Sequence, residues 1–141
     1  MRVDRLLKLA DHLENGVLGH KEFSFRFINK GPFKDNGCGI MGCAIGECPI
    51  VFPDEWKFQE IGYNTFRPIC GGLLNPSTSA QLFFDLNYLD VRVLFYPHFI
   101  EVYEQYLKNN NTKLVRLEVD ATKEQVAANI RKFVEFKSKQ A

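Results

Sequence analysis

Apolar residues open the chain at three- and four-residue spacing: Val3, Leu6, Leu7, Ala10 and Leu13 recur, with Arg5, Lys8, Asp11, His12 and Glu14 between them. That period predicts an amphipathic helix over residues 4 to 15, ended by Gly16, with His12 on its solvated side. Phe23, Phe25 and Phe27 then alternate with Ser24 and Arg26, a period of two that predicts a strand with its rings on one face. Asn29 to Gly37 is a turn-rich loop holding no periodic pattern. Residues 39 to 48, Gly-Ile-Met-Gly-Cys-Ala-Ile-Gly-Glu-Cys, are nearly devoid of charge and predict a short buried helix stopped by Pro49. Glycine disfavours a helix, so Gly39, Gly42 and Gly46 are expected to share a flat stripe against which another backbone packs closely.

Downstream, Pro53 or Asp54 is expected to open a helical turn carrying Trp56, and Thr65 to Cys70 an extended edge segment containing Pro68. Ser77, Thr78 or Ser79 is placed to cap a helix through Phe84, and Asn87 with Asp90 forms a capping pair for another reaching Phe95. Phe99, Val102, Tyr103, Tyr106 and Leu107 mark a further helix, ended at Asn109 to Asn111. Val115, Leu117 and Val119 alternate as a strand suited to pair with Phe23 to Phe27, and Thr122 with Gln125 opens a last amphipathic helix with Val126, Ile130, Phe133 and Val134 inward. The expected fold is therefore α+β, a single and predominantly helical domain over residues 1 to 141, with a small sheet and a buried central glycine-cysteine helix.

Composition narrows the function classes. The chain has 141 residues, 45% hydrophobic and 25% charged, the balance of one globular domain. Thirteen phenylalanines predict an aromatic core. A net charge of +1 with dispersed Lys and Arg offers no stripe for a phosphate backbone, so nucleic acid is not an expected partner. No apolar run approaches about 18 residues and the N-terminus lacks a signal-like core, which argues for a cytoplasmic protein with no membrane partner. The four cysteines then read as free thiols.

Cys38, Cys43 and Cys48 are spaced five apart. In a helix that spacing turns about 140° past a full turn and rises about 7.5 Å, which separates the sulfurs too far for one zinc or a disulfide. No metal or other cofactor is expected. Cys38 follows the Asn36-Gly37 turn at the expected entrance of the helix, a position that favours a thiolate. With His98 or His20 as base and Asn110 or Glu101 to orient it, Cys38 could act as a nucleophile. The Ala80 to Phe95 pair of helices does not read DNA, because its second helix is apolar apart from Arg92.

Leu9 to Glu14, Cys38 to Gly46, Phe83 to Leu86 leading to Phe95, and Val126 to Phe133 together resemble, in that order, a group of small uncharacterised phage and bacterial proteins. The specific part is a Cys-Gly-x-x-x-Cys-Ala-Ile-Gly core. The resemblance implies a phage or prophage setting and carries no activity. The expected function is a non-enzymatic binding or regulatory protein acting through a protein partner, its oligomeric state open. The alternative is a thiol hydrolase-like enzyme with Cys38 as nucleophile and His98 as base.

Overall fold

Residues 1–72, 75–96 and 117–140 are described in the computed structural model of the chain. The first helix, α1 (Val3–Asn15), buries Leu6, Leu9, Ala10 and Leu13 on the face the spacing predicts. Gly16 closes it by donating its N–H to the His12 carbonyl, at 2.8 Å. The last helix, which we label α5 (Lys123–Gln140), lies along α1. Val126, Ile130, Phe133 and Val134 are buried, and Arg131 reaches Asp11 at 2.6 Å and Glu14 at 3.2 Å across the seam. The Thr122 and Gln125 capping box forms as expected, with reciprocal bonds of 2.9 and 3.2 Å.

Between these helices come β1 (Glu22–Phe23), β2 (Asn29–Lys30), β3 (Met41–Gly42), α2 (Ala44–Val51), β4 (Trp56–Glu60), β5 (Phe66–Cys70), α3 (Pro76–Phe84) and α4 (Tyr88–Phe95). Strand β3 is central in a three-stranded sheet, parallel to β1 and antiparallel to β2, while β4 and β5 form an antiparallel hairpin. Five helices and two small sheets among the described residues make the α+β single domain that the patterning predicts. No helix among these residues is long and apolar enough to cross a membrane.

The aromatic core is present. Phe83 stands edge-on to Phe52, Trp56 and Phe84 at centroid distances of 4.8, 5.7 and 5.0 Å, and Phe84 continues to Phe95 at 6.0 Å. Each such ring contributes about 1.5–3 kcal/mol by leaving water. Asn87 and Asp90 cap α4 reciprocally. Its Val91, Val93, Leu94 and Phe95 are buried and turn it into the core.

Several elements depart from the sequence pattern. Helix α2 begins at Ala44, so the first half of the glycine-cysteine run is loop and central strand, and Pro49 lies inside the helix. Proline there removes one backbone bond, but the flanking bonds from Glu47 to Cys43 and from Phe52 to Cys48 survive at 3.0 and 2.8 Å. Burial of nearly the whole helix outweighs a proline cost of about 3 kcal/mol. The alternating phenylalanines form only the two-residue β1, because the Ser24 hydroxyl accepts the Phe27 N–H at 3.3 Å and turns the chain. Strand β1 pairs with β3; of the expected Val115 to Val119 strand, Val115 and Arg116 lie outside the described residues, and the chain after Leu117 turns where Ala121 N–H meets the Glu118 carbonyl at 3.0 Å.

Trp56 starts a strand after the turn that was expected to carry it. Pro68 does lie in an edge strand, opposite Phe58. The cap of α3 is Asn75, ahead of the serines, since its side chain accepts from Ser77 and Thr78 with Pro76 in the first turn. The helix expected around Phe99 to Leu107 falls outside the described residues.

Candidate functional site

Glu47 sits in the apolar helix α2 with no exposure to solvent. A bare carboxylate there would be expensive to desolvate, so its partners decide whether the helix can be buried. Four donors meet it. Oε1 accepts the His12 Nε2–H at 2.7 Å and the Gly19 N–H at 2.8 Å, while Oε2 accepts the His20 N–H at 3.1 Å and the His20 Nδ1–H. Burial works to raise the Glu47 pKa, but the His12, His20 and Gly19 hydrogen bonds hold it down at about 2.

The far side of His20 is equally determined. Asn29 Nδ2 donates to the carbonyls of Gly37 and Phe66 at 2.9 and 3.2 Å, and Asn29 Oδ1 accepts the Gly39 N–H at 2.7 Å. The amide is thereby oriented with its oxygen toward His20 Nε2, 2.7 Å away. Both ring nitrogens of His20 therefore donate, which assigns it as imidazolium from the hydrogen-bond network. Burial alone would lower its pKa, but the surrounding Cys38, Glu47 and Asn29 side chains raise it to about 9. The result is a neutral buried pair of one cation and one anion.

Three glycines make room for this network. A Cβ at Gly42 would overlap the His20 imidazole, one at Gly46 the Ile28 carbonyl oxygen, and one at Gly39 the Lys30 carbonyl oxygen. The expected close backbone approach is present at Gly39 and Gly46, while Gly42 meets the His20 side chain, and the three lie on a loop, a strand and a helix and share no helical stripe.

Cys38 precedes β3 and is fully buried beside this network. Its N–H donates to Asn36 Oδ1 at 3.0 Å and its thiol points to the Gly39 carbonyl at 3.7 Å. Because α2 starts six residues later, Cys38 does not occupy a helix N-terminus. Cys43 holds that position, and burial pushes its thiol up to about 11. Burial likewise drives Cys48 well above its ordinary value. All four cysteines are free. No group of three His, Cys, Asp or Glu among the described residues could hold a metal ion. His98, Glu101 and Asn110 lie outside the described residues.

His12, expected on the solvated side of its helix, and His20, named as a possible base for Cys38, are the two imidazoles of the buried site. Glu47 was passed over in the sequence pattern. Its signal was a single carboxylate inside a run otherwise fit only for a core.

Asn29 connects the network to a cleft of about 640 Å³ on the molecular surface. The loop 26–33, the start of β5, the entrance of α3 and the end of α4 enclose it. Arg26, Lys30, Arg67 and Arg92 line the cleft together with Phe27, Phe33, Phe66 and Tyr96, and no carboxylate is among the described lining residues. Lys30 Nζ lies 4.3 Å from the Phe27 ring centre, and the Arg92 guanidinium sits 4.7 and 4.6 Å from the centres of Tyr88 and Tyr96. Arg26, Lys30 and Arg67 are exposed and have no carboxylate partner among the described residues. Ser77, also on the cleft wall, buries a hydroxyl beside the Tyr96 phenol that makes no ordinary hydrogen bond.

Comparison with protein-family models, with curated proteins and with solved structures returns no match for this chain.

Proposed function

We propose that the protein is a binding module that acts through a protein partner, holding an acidic segment of that partner in the cleft between loop 26–33, β5, α3 and α4. One observation carries this reading: among the described residues, four basic side chains and four aromatic rings line a concavity to which no carboxylate contributes. Cationic groups attract the acidic segment and orient it, while the rings supply apolar contact area. The burial of Cys38 supports binding over thiol chemistry, because a nucleophile must meet its substrate. His20 has no ring nitrogen left to accept a thiol proton. The phage or prophage setting implied by the Cys38 to Gly46 core is compatible with such a role.

The test is fluorescence polarisation with a labelled peptide rich in Asp and Phe, measured against the native protein and an Arg26→Glu/Arg67→Glu variant. Binding should weaken at least about tenfold in the variant and fall with added salt, as for exposed charges. Equal affinity for the two proteins, or no binding to either, would overturn the proposal.

A further inference from the structure

We infer that the anion this cleft is built for is a phosphoryl group on a side chain of the partner, an inference that rests on the binding reading above. Charge comes first. Among the described residues, exposed Arg26, Lys30 and Arg67 bring three cations without a carboxylate partner to one concavity, and a single Asp or Glu of a ligand would balance one of them. A phosphate monoester brings nearly two negative charges and three acceptor oxygens to one point. Guanidinium forks match those oxygens in geometry as well as charge. Three of the cleft's four cations are arginines.

Hydrogen bonding points the same way. Ser77 lines the cleft with a buried hydroxyl that makes no close hydrogen bond beyond its loose contact with the Tyr96 phenol, although the rest of the α3 entrance is satisfied by Asn75. An unmet buried hydroxyl costs free energy, and a ligand oxygen reaching it beside Tyr96 would remove that cost. The helix N-terminal amides themselves are occupied: Ser77 and Thr78 N–H groups already go to Asn75 Oδ1, at 2.8 and 3.4 Å. Recognition therefore falls to the side chains.

The surroundings select a peptide over a nucleic acid. A polynucleotide needs cations repeated along its backbone, whereas a net charge of +1 with Lys and Arg dispersed along the chain offers no such stripe. Phe27, Phe33, Phe66 and Tyr96 provide walls for apolar residues flanking a modified one.

The experiment uses one short fluorescein-labelled peptide, Phe on both sides of a central Ser, Glu or phosphoserine, with inorganic phosphate and a single-stranded oligonucleotide as competitors. The phosphoserine peptide should bind at least about tenfold tighter than the Glu peptide, in keeping with charge-assisted, multidentate contacts. Arg67→Ala should weaken both, and Ser77→Ala should reduce the preference for phosphoserine. Since the Ser77 hydroxyl makes no ordinary hydrogen bond, that variant should keep the native circular dichroism spectrum. Equal binding of the Glu and phosphoserine peptides to native protein overturns the phosphoryl inference and leaves the acidic-segment reading standing. Failure of every peptide overturns both. Displacement of the phosphopeptide by the oligonucleotide at lower concentration than by unlabelled phosphopeptide overturns the choice of a protein partner.

Discussion

Replacing Glu47 by Gln keeps the shape of the side chain and removes the charge on which the buried network depends. Four donors converge on the carboxylate, from His12, Gly19 and twice from His20. A glutamine oxygen offers two acceptor sites, so two donors lose their acceptor and the new amide hydrogens face N–H groups. Each buried donor left unmet costs about 1–3 kcal/mol. The same loss viewed as a broken buried ion pair, with the His20 imidazolium stranded, is about 3–5 kcal/mol. These describe one event and are not summed. At about 3 °C per kcal/mol for a domain of this size, the midpoint of thermal unfolding should fall by roughly 10–15 °C. Circular dichroism melts at pH 6 measure this directly. Nitrogen-15 NMR of the native protein should also show two protonated ring nitrogens on His20. In a Glu47→Gln/His20→Gln double variant the stranded cation is gone, so the loss should be smaller than the two single losses added. A midpoint within about 2 °C of native for Glu47→Gln, or a neutral His20 at pH 6, would refute the reasoning.

Stability should peak on a plateau between about pH 5 and 6.5. His20 is raised from 6.5 to about 9, so its contribution is complete below 6.5 and is lost as pH rises through 9. Glu47 is lowered from 4.5 to about 2, so its contribution is complete above 4.5 and fades as pH falls toward 2. Urea midpoints across this range should trace both arms, and a His20→Gln variant whose alkaline arm remains would contradict the assignment. Among the four thiols, half-buried Cys70 should react first with a disulfide reagent in native protein, and buried Cys38, Cys43 and Cys48 should wait for unfolding; a fast, native-state Cys38 would revive thiol chemistry. Gly46→Ala places a methyl group on the Ile28 carbonyl oxygen, so it should destabilise by about 1–3 kcal/mol and weaken peptide binding by displacing the cleft wall. A denaturation curve unchanged in midpoint would sink that prediction.

The helices that carry strong local signals were legible. The heptad-like stripe of α1, the Asn87–Asp90 and Thr122–Gln125 caps, and the inward face of α5 are all local in sequence, and local rules find them. The three-stranded sheet was not legible, because its two-residue strands are shorter than any period that could announce them. The glycine run misled for a related reason. A charge-free stretch reads equally as helix or buried strand, and here it is one after the other. His12 looked solvated because it lies off the apolar stripe, yet that position aims it at α2. What joins His12, His20, Asn29 and Glu47 is tertiary, spanning sequence separations of 9 to 35 residues. A reader weighing the cost of burying Glu47 would have looked for its partners among the histidines.

Strands of two residues cannot hold a sheet together by their own ladder, so the order of the 19–42 segment must come from elsewhere. Asn29 supplies much of it. From β2 it binds the Gly37 carbonyl, the Gly39 amide, the Phe66 carbonyl and His20, and through His20 it reaches Glu47 in α2. Asn29, Lys30, Phe66 and Arg67 are also walls of the cationic cleft. Core and surface are thus tied by one side chain: the charge pair fixes His20, His20 and three backbone groups fix Asn29, and Asn29 holds loop 26–33 against β5. The cations lining the cleft repel one another, so the cleft needs a rigid wall behind it. A network in which Glu47, His20 and Asn29 are each held by several hydrogen bonds provides that wall more firmly than apolar packing of the same volume, because displacing any of the three leaves a buried polar group unmet.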